Sequence, residues 1–269
     1  MYFSEPVTGV DAFDFAAATG GDITGAVVDN VTGSGVAYLV TVSISGGYGT
    51  IQLNVLNDGT ISDGVETLSS GFTNGEVYTR VESSVVTFTS DGTLDGWILE
   101  SSETSGAGGT LNSTAATLNL GDAAGDKQYR AILHFDTSAL PDNAIISSAV
   151  LKLRKKSVNG MDPFSVLGAL RVDMRKPDFG TPALTLNDFK SAAGRKNVAS
   201  FDAVPVGSWY SANLNNTGRI YINRTGTTQF RIYFVTDDNE NNLADFIKFF
   251  SGNAGAPRRP KLVIHYFIP

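Results

Sequence analysis

What most limits this chain is the spacing of its apolar residues. They recur at every second position in short runs, and almost nowhere at the three-and-four spacing of a helix. Residues 145–156 are the clearest case. There Val150, Leu151 and Leu153 include the core face, while Lys152, Arg154 and Lys156 share the other, because successive side chains in a strand point to opposite sides. Residues 129–135, 167–174, 229–235, 246–251 and 261–267 read the same way, and 85–88 is a shorter strand. In the first third the strands are 36–44, 50–56 and 76–81. Gly46-Gly47-Tyr48-Gly49 and Asn57-Asp58-Gly59 provide the turns, so 36–44 and 50–56 are expected to pair as antiparallel neighbours. Residues 101–117 are Ser, Thr, Gly and Ala without a period, hence loop or edge. Two stretches carry a helical signal: a turn at 11–15 capped by Asp11, and a short helix at 186–193 capped by Thr185 or Asn187. The expected fold is all-β.

Charge divides the chain in two. The first 82 residues hold one basic residue, Arg80, against ten acidic ones, whereas the remainder carries 19 Lys and Arg against 17 Asp and Glu. A break that abrupt marks two modules, 1–82 and 83–269, and makes the second the better partner for an anion. At 42% hydrophobic and 17% charged, the chain has enough apolar material to fill cores, which argues against disorder. It has no cysteine, which excludes the disulfide-stapled secreted class without fixing a compartment. No apolar run approaches the length of a spanning helix, so no membrane insertion is expected. The formal charge of -7 argues against nucleic acid. The start lacks a basic region followed by an apolar stretch, so a secreted form is expected to be part of a longer or processed precursor.

Two resemblances sharpen this reading. The phrases "FSEPVTGVDAFDF", "VTGSGVAYLVTVSISGGYGTIQLNVLNDGTISD" and "GFTNGEVYT" resemble an Ig-like repeat of bacterial surface proteins and adhesins, with "DGVETL" at 63–68 departing from the usual loop. Such repeats open with about two strands ahead of "FSEP", where this chain has only Met1 and Tyr2. The resemblance therefore implies a first sandwich short of its opening strands, either as a fragment or completed by a neighbour's strand. The phrases "LNLGDAAGDKQYRAILHFDTSALPDNAIISSAVLKLR" at 118–154 and "ADFIKFFSGNAGAPRRPKLVIHYF" at 244–267 resemble the DNRLRE β-sandwich domains, which are related to alginate-type carbohydrate-binding modules and archaeal disaggregatase-related proteins. The name-giving motif is absent, since 237–242 reads "DDNENN". The resemblance implies a jelly-roll-like sandwich at a cell surface or in its matrix, and binding more than catalysis.

The candidate sites follow from residue chemistry. His134 and His265 are the only imidazoles, and each alternates away from apolar neighbours, so both are expected to face outward or into a groove. With no HExxH, no GxSxG and carboxylates mostly in turns, no catalytic residue is assigned. Lys152, Arg154 and Lys156 on one strand and Arg171 and Arg175 on another would make a positive face if the strands neighbour each other. Arg grips a uronate carboxylate bidentately and Lys attracts it as a point charge, with Tyr210 offering a flat ring. The expected ligand is an acidic extracellular polysaccharide. The rival is a structural spacer, stalk or filament subunit whose partner is a neighbouring surface protein or another copy of the chain. Hard oxygen ligands in a flexible loop suit structural calcium: Asp237, Asp238, Asn239 and Glu240 with Asp245 lead, Asp91 and Asp95 follow, and Asp122 with Asp126 forms a third cluster. Trp97 and Trp209 read as core anchors, and Arg130 as a buried partner of Asp136 or Asp245.

Overall fold

The computed structural model describes residues 1–269, which divide into two compact units, Met1–Glu82 and Ser83–Pro269. All sheets are antiparallel, and the few helical pieces are a turn or two long.

The first unit has a two-stranded sheet, β1 (Tyr2–Val7) with β3 (Val27–Ser43), and a three-stranded sheet in the order β2 (Phe15–Gly21), β4 (Gly49–Val55), β5 (Val77–Arg80). β3 cannot run straight. Fourteen residues of extended chain would hold Asp29 and Ser43 about 46 Å apart, yet the Ser43 hydroxyl donates to the Asp29 carboxylate. Gly33 also lies against the backbone of Ala37 and Tyr38. The segment therefore doubles back at Ser34-Gly35, with positive φ at Gly33 and Gly35 supplying the reversal. The expected pairing of 36–44 with 50–56 does not occur. The turn around Gly47 carries the chain from one sheet to the other, so β4 pairs with β2 from Phe15↔Val55 to Gly21↔Gly49. The Asp11 cap is as expected: its carboxylate accepts from Phe13 N and opens a 3₁₀ turn at Ala12–Asp14. Val7, Phe15, Tyr38, Val55 and Ile61 form the core.

The second unit is a twelve-stranded sheet. Its strands are β6 (Ser83–Thr89), β7 (Gly96–Glu100), β8 (Gly108–Asn112), β9 (Thr117–Ala123), β10 (Lys127–Asp136), β11 (Ile145–Asn159), β12 (Leu170–Arg175), β13 (Arg195–Ser200), β14 (Trp209–Asn213), β15 (Thr227–Phe234), β16 (Asp245–Phe250) and β17 (Lys261–Phe267). The main path runs β13-β12-β15-β10-β9-β16-β11-β17-β6, with β14 on β11 and β7–β8 on β10. β11 joins two layers. Its first part pairs with β14 and β17; from Lys155 on it pairs with β16, through a bulge between Lys155 and Ser157. The sheet curls on this strand so that Leu151, Leu153 and Leu262 meet Leu133, Phe230 and Phe249 in one core. Phe164, from the short helix α1 (Pro163–Val166), stacks on Tyr210 and meets Phe234 edge-on. The first and last strands of the unit are partners, with Ser83 opposite Phe267 and Thr89 opposite Lys261.

The helix expected at 186–193 is a 3₁₀ turn at Leu186–Phe189 with a Thr185/Asp188 capping box; the Arg195 strand follows too soon for more turns. A second short helix, α2 (Asn216–Tyr221), is capped by Asn215. The stretch 176–194 lies over the back of the sheet and makes a second small core of Ile98, Ile132, Phe179, Leu184 and Phe189.

Candidate functional site

The basic residues expected to line one face do not. β11 and β12 stand five places apart in the sheet order, so Lys152, Arg154 and Lys156 share no neighbouring strand with Arg171 and Arg175. Arg175 donates to the Ala192 carbonyl on the back of the sheet, and Arg171 stands opposite Tyr233 and Ser200. Tyr210 is not available as a platform, because β14 pairs it with Leu153 on the core side, buried against Phe164 and Phe249. The sheet instead assembles a different set. Lys152 faces Lys261 across β11–β17 and Ser211 across β11–β14, while Arg154 faces Trp209. Side chains directly opposite in an antiparallel pair share a face. The Lys261 ammonium lies 5.1 Å from the Trp209 ring centroid. Lys152, Arg154, Lys261 and Trp209 thus form one half-exposed outer patch. Lys156 is the unpaired residue of the bulge between Lys155 and Ser157 and is exposed.

None of these cations is held by a carboxylate, since the single ion pair of the chain is Arg231–Asp173 at 2.9 Å, deep in the second unit. Sequence reasoning missed Lys261 because only pairing places it beside Lys152. Trp209, expected in the core, is half-exposed, and so is Trp97, which meets Tyr129 edge-on.

The acidic candidates separate by how well their oxygens are satisfied. Asp95 is fully buried. Its Oδ1 accepts from His134 N, and its Oδ2 from Ser90 Oγ and Gly252 N. Burial nevertheless pushes this carboxyl up to about 7. Asp91 accepts from Thr93 Oγ1 and N, and these donors hold it below the usual carboxylate range although its partial burial opposes them. Both are tied into the 90–95 turn by protein donors.

The other end of the sheet differs. Asp245 stands directly across β9–β16 from Asp122. Asp245 Oδ1 accepts from Met161 N and its Oδ2 from the Asn239 and Asn241 amides; these donors hold it low although burial opposes them. Asp122 is fully buried with no donor on either oxygen, and burial together with the Asp245 charge pushes it up to about 7. Asp126 accepts from Asn242 N, which ties the β9–β10 turn to the 237–245 loop. Asp238 accepts from Glu240 N, and Asp237, Asp238 and Glu240 border a cleft of about 380 Å³ with Glu100 and Glu103. No three His, Asp or Glu side chains already converge as a metal cage.

The remaining expectations also meet the structure. His134 does alternate away from Leu133 and Phe135, but the back of the sheet is covered, so it is buried and bonded to Gln229 rather than facing out. His265 is half-exposed on the outer layer. Arg130 pairs with neither Asp136 nor Asp245. It donates to Gln128 Oε1 and the Phe189 carbonyl and lies 4.0 Å over the Phe189 ring. Its guanidinium straps the 176–194 segment to the sheet, as does that of Arg231, which donates to the Asp188 and Ser191 carbonyls.

The first unit has a feature of another kind. Met1, Leu39, Val40, Val42, Ile44, Ile51, Leu53 and Tyr78 line an apolar cleft of about 380 Å³. No helix in the chain is long and apolar enough to cross a membrane. No protein-family model matches the chain, and no curated protein matches it.

Proposed function

We propose that this is a non-catalytic extracellular or cell-surface protein whose second unit binds an acidic polysaccharide on the outer face of β14, β11 and β17. One observation carries this reading: Lys152 and Lys261 stand directly opposite each other, beside Arg154, with no carboxylate partner. Like charges placed so cost a few tenths of a kcal/mol or more in the free sheet. A polyanion lying across the strands removes that cost, and Trp209 gives a sugar ring an apolar surface beside the charges. The resemblance of this unit to DNRLRE-type carbohydrate-binding sandwiches supports the same reading, with a jelly-roll-like architecture, as does that of the first unit to Ig-like surface repeats.

The test is titration of the whole chain with polygalacturonate and with alginate at several salt concentrations. Binding is expected to weaken steeply as salt rises through 0.1 M, where the screening length falls to about 10 Å. The triple variant Lys152→Ala/Arg154→Ala/Lys261→Ala should lose at least tenfold in affinity, while Arg171→Ala/Arg175→Ala should not. An absence of binding to any uronate polymer sinks the proposal.

The apolar cleft favours a second reading, a stalk or filament subunit with the first unit completed by an extended strand of another copy. The cleft side chains would receive alternate apolar residues while backbone edges pair. Light scattering over a hundredfold concentration range decides: one constant monomer mass removes this reading.

A further inference from the structure

The end of the second unit where β9, β10 and β16 meet holds three buried oxygens that accept from no donor: both carboxylate oxygens of Asp122 and the side-chain oxygen of Asn239. They belong to one neighbourhood, because Asp122 is the cross-strand partner of Asp245 and Asn239 donates 2.8 Å to Asp245 Oδ2. That bond fixes the Asn239 amide. A carboxylate can only accept, so the NH₂ must face Asp245 and the oxygen must face away. A buried acceptor without a donor is destabilising, and more so when it is charged, so a set of three calls for a counterpart. A proton on Asp122 would leave its second oxygen still without a donor. A cation serves all three at once.

The surroundings favour the cation. Asp126 and Asp238 act on Asp122 along with Asp245, and Glu103 feels Glu240, Asp126, Asp238 and Asp237. No ion pair neutralises this end. The cation at the adjoining cleft, Arg130, is committed to Gln128, the Phe189 carbonyl and two aromatic rings. The free ligands are hard oxygens, one of them a neutral amide, supplied by a strand end and a loop. Calcium accepts such mixed, irregular sets, whereas magnesium demands a near-octahedral one and zinc prefers nitrogen and sulfur.

We propose that Asp122, Asn239 and Asp245 are the nucleus of a structural calcium site that locks the 237–245 loop onto the β9–β10 hairpin, with water filling the rest of the shell. The site is separate from the basic patch and stands or falls without it.

The test uses the whole chain, stripped with chelator and then titrated with calcium chloride by calorimetry and by thermal melting. One ion should bind, and calcium at 100-fold over its dissociation constant should raise the second unit's midpoint by about 5–10 °C. Asp122→Asn distinguishes a ligand from a merely buried acid. It should melt above the parent in chelator, since it removes an unsatisfied charge, and below it in calcium. Asn239→Ala should weaken calcium at least tenfold while folding normally. Absence of binding heat with identical midpoints in calcium and chelator overturns the proposal. So does an Asp122→Asn protein that keeps the full calcium response, or an equal response to magnesium alone.

Discussion

In the first unit five buried apolar side chains, Val7, Phe15, Tyr38, Val55 and Ile61, make the whole core, while Leu39, Val77 and Tyr78 stay more than half exposed. In the second, twenty-eight residues pack into one core and five more into a layer behind it. Both units are built from the same period-two strands, so alternation is not what separates them. Closure is. β11 lets the second sheet fold over itself, so each inward face finds another, and the 176–194 segment covers part of the back. The first unit divides its strands into sheets of two and three, and the cleft beside Leu39 and Leu53 is left open. A small domain already buries a lower share of its surface than a large one. An uncovered face lowers that share again.

Core truncation should give the largest separation. Phe135→Ala empties a rigid site and should cost about 3–5 kcal/mol, collapsing hydrogen-exchange protection across residues 131–135. Phe15→Ala in the first unit should cost clearly less, because neighbours beside an open cleft can move into the space. Equal losses measured by exchange would break the comparison.

Acidity should separate the units next, with opposite signs. Asp95 has a folded value above the ordinary 3.8 because of burial, so below about pH 4 it is neutral in both states and costs nothing. As pH rises toward 7 the unfolded chain ionises first, and the second unit loses stability on the order of a few kcal/mol. In the first unit, Thr60 donors hold Asp58 low and the Glu66 and Val65 N–H groups hold Asp63 low. Their contribution is present above pH 4 and fades as pH falls below it. Calorimetric scans from pH 3 to 8 in chelator should show the two transitions moving in opposite directions; parallel movement refutes the assignment.

The smallest effect sharpens the contrast at the surface. Leu39→Ser in the exposed cleft wall should change stability by less than about 0.5 kcal/mol. It should still lower the binding of a hydrophobic dye to the native chain, and an unchanged dye signal would mean that the cleft is closed in solution.

The strands themselves were legible, because alternation is a local signal. Residues 145–156, 129–135 and 261–267 lie within strands of the structure. Partnership is not local. Residues 36–44 and 50–56 look like a hairpin, but β3 turns on Gly33 and Gly35 and makes its own. Lys152 and Arg171 look like one surface until the sheet order puts four strands between theirs. Tyr210 and His134 were misjudged for a related reason: a side chain's face can be counted along a strand, but whether anything covers that face depends on segments far away, Phe164 for one and residues 176–194 for the other. The oxygen-rich 237–245 loop was visible in composition. Its relation to Asp122 required the β9–β16 register.

The pairing of β6 with β17 has a mechanical consequence. Ser83 and Phe267 lie one strand spacing apart, about 4.8 Å, at the same end of the ladder. Tension arriving through the two ends of this unit pulls those strands apart at one point. The ladder then opens like a zipper, bond after bond, where a shear geometry would load all its bonds together. The sandwich would hang from a stretched chain as a pendant, adding almost nothing to its contour length until it opens, and yielding at low force when it does.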